Sequence, residues 1–208
     1  MAEDPPAIIT KLEDAFAVIR FNRPAQRNPL SKSTLQDLKT ALSELLDRDR
    51  VKAIIFTGTG DVFASGANIR ELTQLDSASA LEFSQLGQRL FQTIAEAKPL
   101  TIAAINGYCM GGALDLALAC DVRIASPTAV FAHPGARLGI ITGWGGTQRL
   151  PRLIGRTRAL ELFATARRLT AAEALAMGLV TAVADSVLDC ALATASRHFG
   201  ITLTPPTA

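Results

Sequence analysis

The strongest structural signal in the chain is the run N-G-Y-C-M-G-G-A-L-D-L-A-L-A-C-D at residues 106–121. A strand-like apolar stretch, residues 100–105, precedes it and ends in a glycine-bearing turn. The pattern then predicts a short apolar helix that begins at Gly111 and Gly112 and carries one carboxylate, Asp115. N–H groups at the start of a helix have no partner within it, and the helix dipole adds partial positive charge there. Because glycine lets a ligand approach the backbone, the run predicts an oxyanion-binding site.

Other motifs agree with this run in type and order. They are R-F-N-R-P-A-Q-R-N-P-L-S at 20–31, V-F-A-S-G-A-N-I-R-E-L at 62–72, G-W-G-G-T-Q-R-L-P-R-L-I-G at 143–155 and L-T-A-A-E-A-L-A-M-G-L-V at 169–180. Together with the run at 106–121, they resemble the enoyl-CoA hydratase/isomerase (crotonase) superfamily across nearly all of residues 8–185. Each motif alone is weak, but their shared order makes the resemblance specific.

Strands and helices are predicted to alternate along the chain. Strands are expected at 15–22, 51–58, 99–105, 122–125 and 130–132, and helices from the N-cap Ser31 to about residue 47, at 78–97, from Gly111, and from a capping box at Thr170 and Glu173 to Gly178. Periodicity alone indicates an α/β protein. The resemblance implies a crotonase-like β-β-α spiral with a shortened C-terminal helical segment. We therefore expect a crotonase-like spiral core domain at residues 1–185, followed at 186–208 by a truncated C-terminal helix, over 187–199, and a tail.

Composition indicates a single soluble domain. The length is 208 residues, of which 49% are hydrophobic and 19% charged, which is ordinary for a globular α/β protein. A net charge of +2 is too balanced for a nucleic-acid binder. No apolar run is long enough to span a bilayer and no targeting peptide is evident, so we expect a cytoplasmic protein without a membrane partner. The spacing of Cys109, Cys120 and Cys190 predicts buried, reduced thiols rather than a metal site or disulfides.

The resemblance assigns the oxyanion site to two backbone amides. The N–H groups of Ala67 and Gly112 would hold the thioester oxygen of an acyl-CoA, on which the charge of an enolate collects. The alternative is that the glycine-rich segments around them are only tight turns. Asp115 falls where hydratase members carry the first of two catalytic glutamates, so it is a candidate general acid or base. Its alternative role is structural, as an aspartate stabilised by the first turn of its helix.

The second catalytic glutamate of the hydratases is absent from this chain. By resemblance its position is Gly135, and the acid that dienoyl-CoA isomerases use would fall near Gly143, again a glycine. His133, in the sequence F-A-H-P, is typical of a packed, hydrogen-bonded histidine. A catalytic role for His133, or for an external anion such as bicarbonate, remains an open alternative at this point.

Substrate recognition is expected in the same segments. The resemblance implies that acyl-CoA is bound by Arg27, Ala64, Gly66, Ala67, Asn68, Ile69, Gly111 and Gly112. Arg23 and Arg27 could meet phosphates, or could simply be exposed loop charges. Trp144 could line the acyl pocket or cap the core. Coenzyme A is part of the substrate, so no separate cofactor is expected, and a homo-oligomer, a trimer or a dimer of trimers, is the implied assembly.

Two functional hypotheses follow from these residues. The first is an acyl-CoA thioester enzyme of the hydratase, isomerase or related lyase type in fatty acid metabolism, which uses Asp115 and the oxyanion amides. The second is a catalytically weakened relative that binds acyl-CoA or a homologous subunit. The oxyanion segments favour the first hypothesis, whereas Gly135 and the short C-terminal segment favour the second.

Overall fold

Strands and helices alternate along residues 5–201, the part of the chain that the computed structural model describes. Its strands are β1 (Ile8–Glu13), β2 (Phe16–Phe21), β3 (Pro29–Leu30), β4 (Ala53–Thr57), β5 (Val62–Ala64), β6 (Gly66–Ala67), β7 (Leu100–Ile105), β8 (Tyr108–Met110), β9 (Val122–Ala125), β10 (Val130–Ala132), β11 (Leu169–Thr170) and β12 (Ala182–Val183). Its helices are α1 (Lys32–Leu46), α2 (Ile69–Leu72), α3 (Ser77–Ala95), α4 (Gly112–Ala119), α5 (Gly135–Leu138), α6 (Gly146–Ile154), α7 (Arg156–Thr165), α8 (Ala171–Ala176) and α9 (Val187–Phe199). The α/β class predicted from the sequence is confirmed.

The larger sheet has six strands in the order β1-β2-β4-β7-β9-β12. β1 and β2 form an antiparallel hairpin, and all the other neighbouring pairs run parallel. Every residue of β4 is buried, as expected for a parallel strand that is covered on both faces. One face packs on the main core, and α9 covers the other through Val187, Ala191 and Ala195.

A smaller sheet, in the order β11-β10-β8-β5, explains the spiral. The chain repeatedly adds a strand to the larger sheet, then one to the smaller sheet, and then a helix. The repeats are β4, β5 and α2; β7, β8 and α4; and β9, β10 and α5. Between β5 and α2 the chain forms β6, which pairs with β3 in a separate two-stranded sheet. Because α4 and α5 directly follow the parallel neighbours β8 and β10, the N-terminus of α4 and the start of α5 lie along the same edge. This edge carries the candidate site.

Local capping accounts for the helix starts that the sequence predicted. The Oγ of Ser31 accepts a hydrogen bond from the N–H of Thr34 at 3.0 Å, which caps α1. Thr170 and Glu173 form the predicted capping box of α8. Seven strands of the described residues were not predicted, namely β1, β3, β5, β6, β8, β11 and β12. β1 is a half-exposed edge strand with charged residues, and β8 is a three-residue strand inside what the sequence indicated was a turn.

The C-terminal helix has the bounds that were expected for it, residues 187–199. It packs on the larger sheet, whereas the predicted tail at 202–208 lies outside the described residues. The boundary between residues 185 and 186 stays a prediction. Within residues 5–201, no helix combines the length and the apolar character needed to cross a bilayer.

Candidate functional site

An apolar cavity of about 670 Å³ lies beside the N-terminus of α4. Residues of α3, of the segment 133–144 and of α7 complete its wall. Apolar side chains such as Phe83, Leu138 and Phe163 dominate the lining. A cavity of this size and polarity suits a hydrophobic ligand with few polar groups.

The two segments that were predicted to supply oxyanion amides lie side by side. A Cβ built on Gly66, whose φ is +86°, would meet the backbone nitrogen of Gly112 at 2.9 Å, so only glycine allows this approach. As the first residue of α4, Gly112 has an N–H with no acceptor inside the helix. Ala67 and Gly112 both line the cavity. The structure thus brings both predicted residues to one wall.

The other predicted binding residues divide into two groups. Ile69 and Gly111 line the cavity beside Ala67 and Gly112. Ala64 is completely buried in β5, and the side chain of Asn68 caps α2 by accepting from the N–H of Arg70 at 3.1 Å. Ala64 and Asn68, like Gly66, therefore shape the segment without lining the cavity.

Arg27 lies at a second, smaller cavity of about 270 Å³. Its guanidinium stands 4.8 Å from the centre of the Tyr108 ring, and it pairs with Asp61 at 3.4 Å. Arg137 and Arg168 line the same cavity. Arg137 lies on α5 and Arg168 on the loop before β11, and the motif that contains Arg27 did not indicate that either would join it. Arg23 lies elsewhere and donates to the carbonyl of Pro5.

Trp144 fulfils both alternatives considered for it. It lines the cavity, yet it is 4% exposed and its ring packs edge-on against Phe83 and Phe91. Its Nε1–H donates to the carbonyl of Phe83 at 3.3 Å. A Cβ on Gly112 would overlap the six-membered ring of Trp144. The indole therefore packs against the start of α4 and holds it in place.

Asp115 lies beneath the cavity and is completely buried. Its Oδ2 accepts from the hydroxyl of Thr142 and from the backbone N–H of Trp144 at 3.2 Å. Burial raises the pKa of Asp115 to about 6, although these two donors, the amide of Gly146 and the charge of Arg149 oppose the shift. The structure thus places the predicted acid/base residue behind the cavity wall.

His133 faces both the cavity and this carboxylate. Its Nε2 stands 3.5 Å from Oδ1 of Asp115, and neither ring nitrogen has a hydrogen-bond partner in the described part of the chain. Oδ1 of Asp115 is unpartnered as well. Burial lowers the pKa of His133 to about 4, so the imidazole is neutral near pH 7. The packing expected for His133 is confirmed, and the expected hydrogen bonding is wrong, since neither ring nitrogen has a partner.

Gly135 and Gly143, which the resemblance placed at the positions of the family's acids, both line the cavity. A Cβ on Gly135 would overlap the carbonyl oxygen of Ile140, because the N–H of Ile140 donates back to the carbonyl of Gly135 at 3.0 Å. A Cβ on Gly143 would stand 3.2 Å from Oγ of Ser84. This tight turn leaves no space for a carboxylate at 135 unless the backbone moves.

No metal centre is evident in the described ranges, where no group of three or more His, Cys, Asp or Glu side chains converges. Cys109 and Cys120 are buried free thiols, as predicted, whereas Cys190 is half-buried. Burial raises the pKa of Cys120 to about 12 and holds that of Cys109 well above its ordinary value, so both thiols are protonated.

Comparisons with known proteins agree with this architecture. The family model described as Enoyl-CoA hydratase/isomerase matches residues 11–199. The chain is 44% identical over 177 residues to a crotonyl-CoA hydratase of Syntrophomonas wolfei. The aligned region covers 85% of this chain and 68% of the relative.

Solved structures share the fold. An enoyl-CoA hydratase from Bacillus anthracis superposes with a TM-score of 0.88 at 34% identity, over 92% of this chain and 76% of that one. DspI of Pseudomonas aeruginosa superposes with a TM-score of 0.90 at 33% identity, over 97% of this chain and 84% of that one. The β-β-α spiral inferred from the motifs is therefore the fold of this chain.

Proposed function

The chain belongs to the enoyl-CoA hydratase/isomerase family, and on that premise we propose that it stabilises a thioester enolate between the N–H groups of Ala67 and Gly112. The observation that carries this proposal is the approach of β6 to the N-terminus of α4 at one wall of an apolar cavity. Removing one donor from such a site costs about 3–4 kcal/mol of transition-state stabilisation in other enzymes. A pair of fixed amides is therefore sufficient to favour enolate chemistry.

The two cavities together suit an acyl-CoA. The acyl chain would occupy the apolar cavity, while Arg27, Arg137 and Arg168 at the smaller cavity supply cationic donors for phosphates. Ser65 and Pro134 line both cavities. Because the cavities adjoin, one extended ligand can place its thioester between them, close to Ala67 and Gly112.

The reaction we propose is hydration or double-bond isomerisation of an enoyl-CoA, with Asp115 as the carboxylate of the site. Hydration is the activity in the name of the Syntrophomonas relative, and enolate stabilisation is common to both reactions. The charge of the enolate is met by backbone donors, so the proposal needs no cofactor besides the coenzyme A of the substrate.

A second candidate is a catalytically weakened member that binds acyl-CoA or a homologous subunit. It is favoured by the absence of any Asp or Glu from the cavity lining within residues 5–201. Gly135 and Gly143 occupy the positions from which the family's acids would reach the substrate.

Crotonyl-CoA separates these candidates. The purified protein is mixed with crotonyl-CoA while the enone absorbance is followed, in parallel with Asp115→Asn and with the exposed control Asp185→Asn. We expect the absorbance to fall with the unmodified protein and with D185N, and to fall at least about 100-fold more slowly with D115N. Tight binding of the thioester without any fall in absorbance would establish the weakened relative instead.

We also propose that the protein is a homo-oligomer, a trimer or a dimer of trimers. Ile69, Ile140, Ile141 and Leu160 are exposed around the mouth of the cavity. Exposed apolar side chains in one area are typical of an association surface. Sedimentation velocity would test this assembly, and a concentration-independent monomer would contradict it.

A further inference from the structure

One side chain is chemically distinct in the wall of the larger cavity. Of the lining residues within 5–201, His133 alone is ionisable. Asp115 is completely buried and does not line the cavity. The other polar side chains of the lining are hydroxyls, Ser65, Ser84 and Thr142. A proton at a bound thioester must therefore go to His133 or to a group from solvent.

The contacts of Asp115 leave one of its oxygens for His133. Thr142 and the amide of Trp144 both donate to Oδ2, which fixes the carboxylate. Oδ1 has no partner at hydrogen-bond distance and lies 3.5 Å from Nε2 of His133, with the backbone of Gly146 as its other polar neighbour. Two buried polar groups without other partners are costly unless they pair with each other. Catalytic hydrogen bonds are often this long without ligand and shorten when substrate binds.

We propose that His133 is the catalytic residue that takes and returns the proton at carbon 2 of the bound thioester, and that Asp115 is a positioning residue behind it. The inference rests on the proposed function, and it assigns to the histidine the step that the family motif would give to Asp115.

The proton transfer balances without any further reactant. One nitrogen of the neutral imidazole carries its proton toward Oδ1 of Asp115, so the other nitrogen has a free lone pair. That nitrogen, Nδ1, is buried in the free structure, so substrate binding has to open the wall at His133 before it can take a proton from carbon 2. The electrons of the C–H bond then form an enolate whose charge lies on the thioester oxygen. Ala67 and Gly112 donate to this oxygen, and Asp115 stabilises the imidazolium. Return of the proton restores both molecules.

The surroundings of the pair suit this division of roles. The other titratable groups that face it are Arg149 from α6 and the buried thiol of Cys109 from β8. Arg149 favours the ionised form of Asp115, and burial keeps His133 neutral. Phe163 packs against the imidazole with ring centres 5.0 Å apart, which restricts the ring. A neutral base beside an ionised carboxylate is the arrangement that general-base catalysis requires.

Proton exchange tests the inference without depending on hydration. Butyryl-CoA is incubated with the protein in D₂O, and loss of the carbon-2 protons is followed by NMR. We expect His133→Gln to slow exchange by at least about 100-fold. His198→Gln is the matched control, because His198 is the second of the two histidines and lies exposed on α9. H198Q should exchange at the rate of the unmodified protein.

Two further measurements separate catalysis from structure. Imidazole added to His133→Ala should restore exchange, because the cavity left by the side chain admits it. Asp115→Asn should lower the rate and move the acid limb of the pH profile to lower pH, because the imidazolium loses its countercharge. A purely structural role for Asp115 would lower the rate without moving the limb.

Several results would overturn the inference. If the unmodified protein exchanges and H133Q exchanges at a similar rate, His133 is not the proton carrier, although the proposed function stands. Exchange that depends on added bicarbonate and is unaffected by H133Q would assign the step to an external anion. If the unmodified protein binds butyryl-CoA, seen by quenching of its single tryptophan, but shows neither exchange nor hydration, the proposed function fails and the inference with it. Failure of H133Q to fold leaves the decision to H133A with imidazole, where no recovery overturns the inference.

Discussion

One wall of the larger cavity offers backbone groups to a ligand, whereas the other offers side chains. The wall formed by β6 and α4 offers backbone N–H groups, which any sequence with the correct glycines can supply. The adjoining wall, formed by residues 133–144, depends on side chains, and here glycine occupies both positions, 135 and 143, at which the family resemblance predicted an acid. Backbone N–H donors stay in place when side chains other than the required glycines change. A side chain that carries a proton can be replaced by a different ionisable residue if the packing behind it also changes. A site with two such walls can keep its backbone oxyanion donors while the residue that transfers the proton changes.

The largest effect is expected from a change in the backbone wall. Gly112→Ala should lower kcat/KM with an enoyl-CoA by about 100-fold or more, because the new Cβ overlaps the ring of Trp144 and displaces the amide. Steady-state kinetics with crotonyl-CoA measure this loss. The double variant Gly112→Ala with Trp144→Leu should recover part of it, since the overlapping ring is gone. A single variant within threefold of the unmodified protein would mean that the two walls do not differ as described.

His133 in the side-chain wall and Asp115 behind it should make the free energy of unfolding depend on pH. The pKa of Asp115 is raised in the folded state, from 3.8 to about 6, so its stabilisation is complete below pH 4 and is lost as pH rises through 6. The pKa of His133 is lowered, from 6.5 to about 4, so its stabilisation is complete above pH 6.5 and is lost as pH falls through 4. Each shift corresponds to about 3 kcal/mol.

Urea unfolding between pH 4 and 8 measures the contributions of Asp115 and His133 to the free energy of unfolding. Relative to the unmodified protein, Asp115→Asn should gain about 3 kcal/mol in the free energy of unfolding as pH rises across this range. His133→Gln should gain a similar amount as pH falls. If both variants have pH profiles parallel to that of the unmodified protein, the buried pair does not titrate as its environment indicates.

The smallest effect is expected from restoring the family acid. Gly135→Glu should destabilise the protein by about 1–3 kcal/mol, because its Cβ overlaps the carbonyl of Ile140, and it should not increase hydration. Thermal unfolding and crotonyl-CoA kinetics provide the two measurements. The control is Gly139→Ala: a Cβ there has no neighbour within 4 Å, but φ is +68°, so only backbone strain is added. A stable, more active G135E would show that the side-chain wall still accepts the family's second carboxylate.

Much of the fold was predictable because its signals are local. The N-cap at Ser31, the capping box at Thr170 and the bounds of α9 follow from contacts between residues a few positions apart. β1 was missed because its exposed, charged edge lacks the apolar run of a buried strand. The smaller sheet was harder to predict, since its strands have only two or three residues each.

The candidate site was predictable only on its backbone side. Gly111 and Gly112 were indicated as glycines at the start of a predicted helix, whereas Ala67 was identified only through the family resemblance. The contact of Thr142 with Asp115 spans 27 positions, and no pattern in either segment indicated it. Arg137 and Arg168 reach the cavity of Arg27 through the fold alone.

The sequence by itself determined the family, the alternation of the longer strands and helices, and the glycines that open the backbone to a ligand. Only the tertiary structure decided which ionisable group faces the cavity. The reason is physical: α4 is buried on all sides, so Asp115 is held beneath the wall by Thr142 and Trp144, and His133 stands between its carboxylate and the space for substrate. Side-chain exposure depends on what packs against an element, and that partner comes from distant parts of the chain.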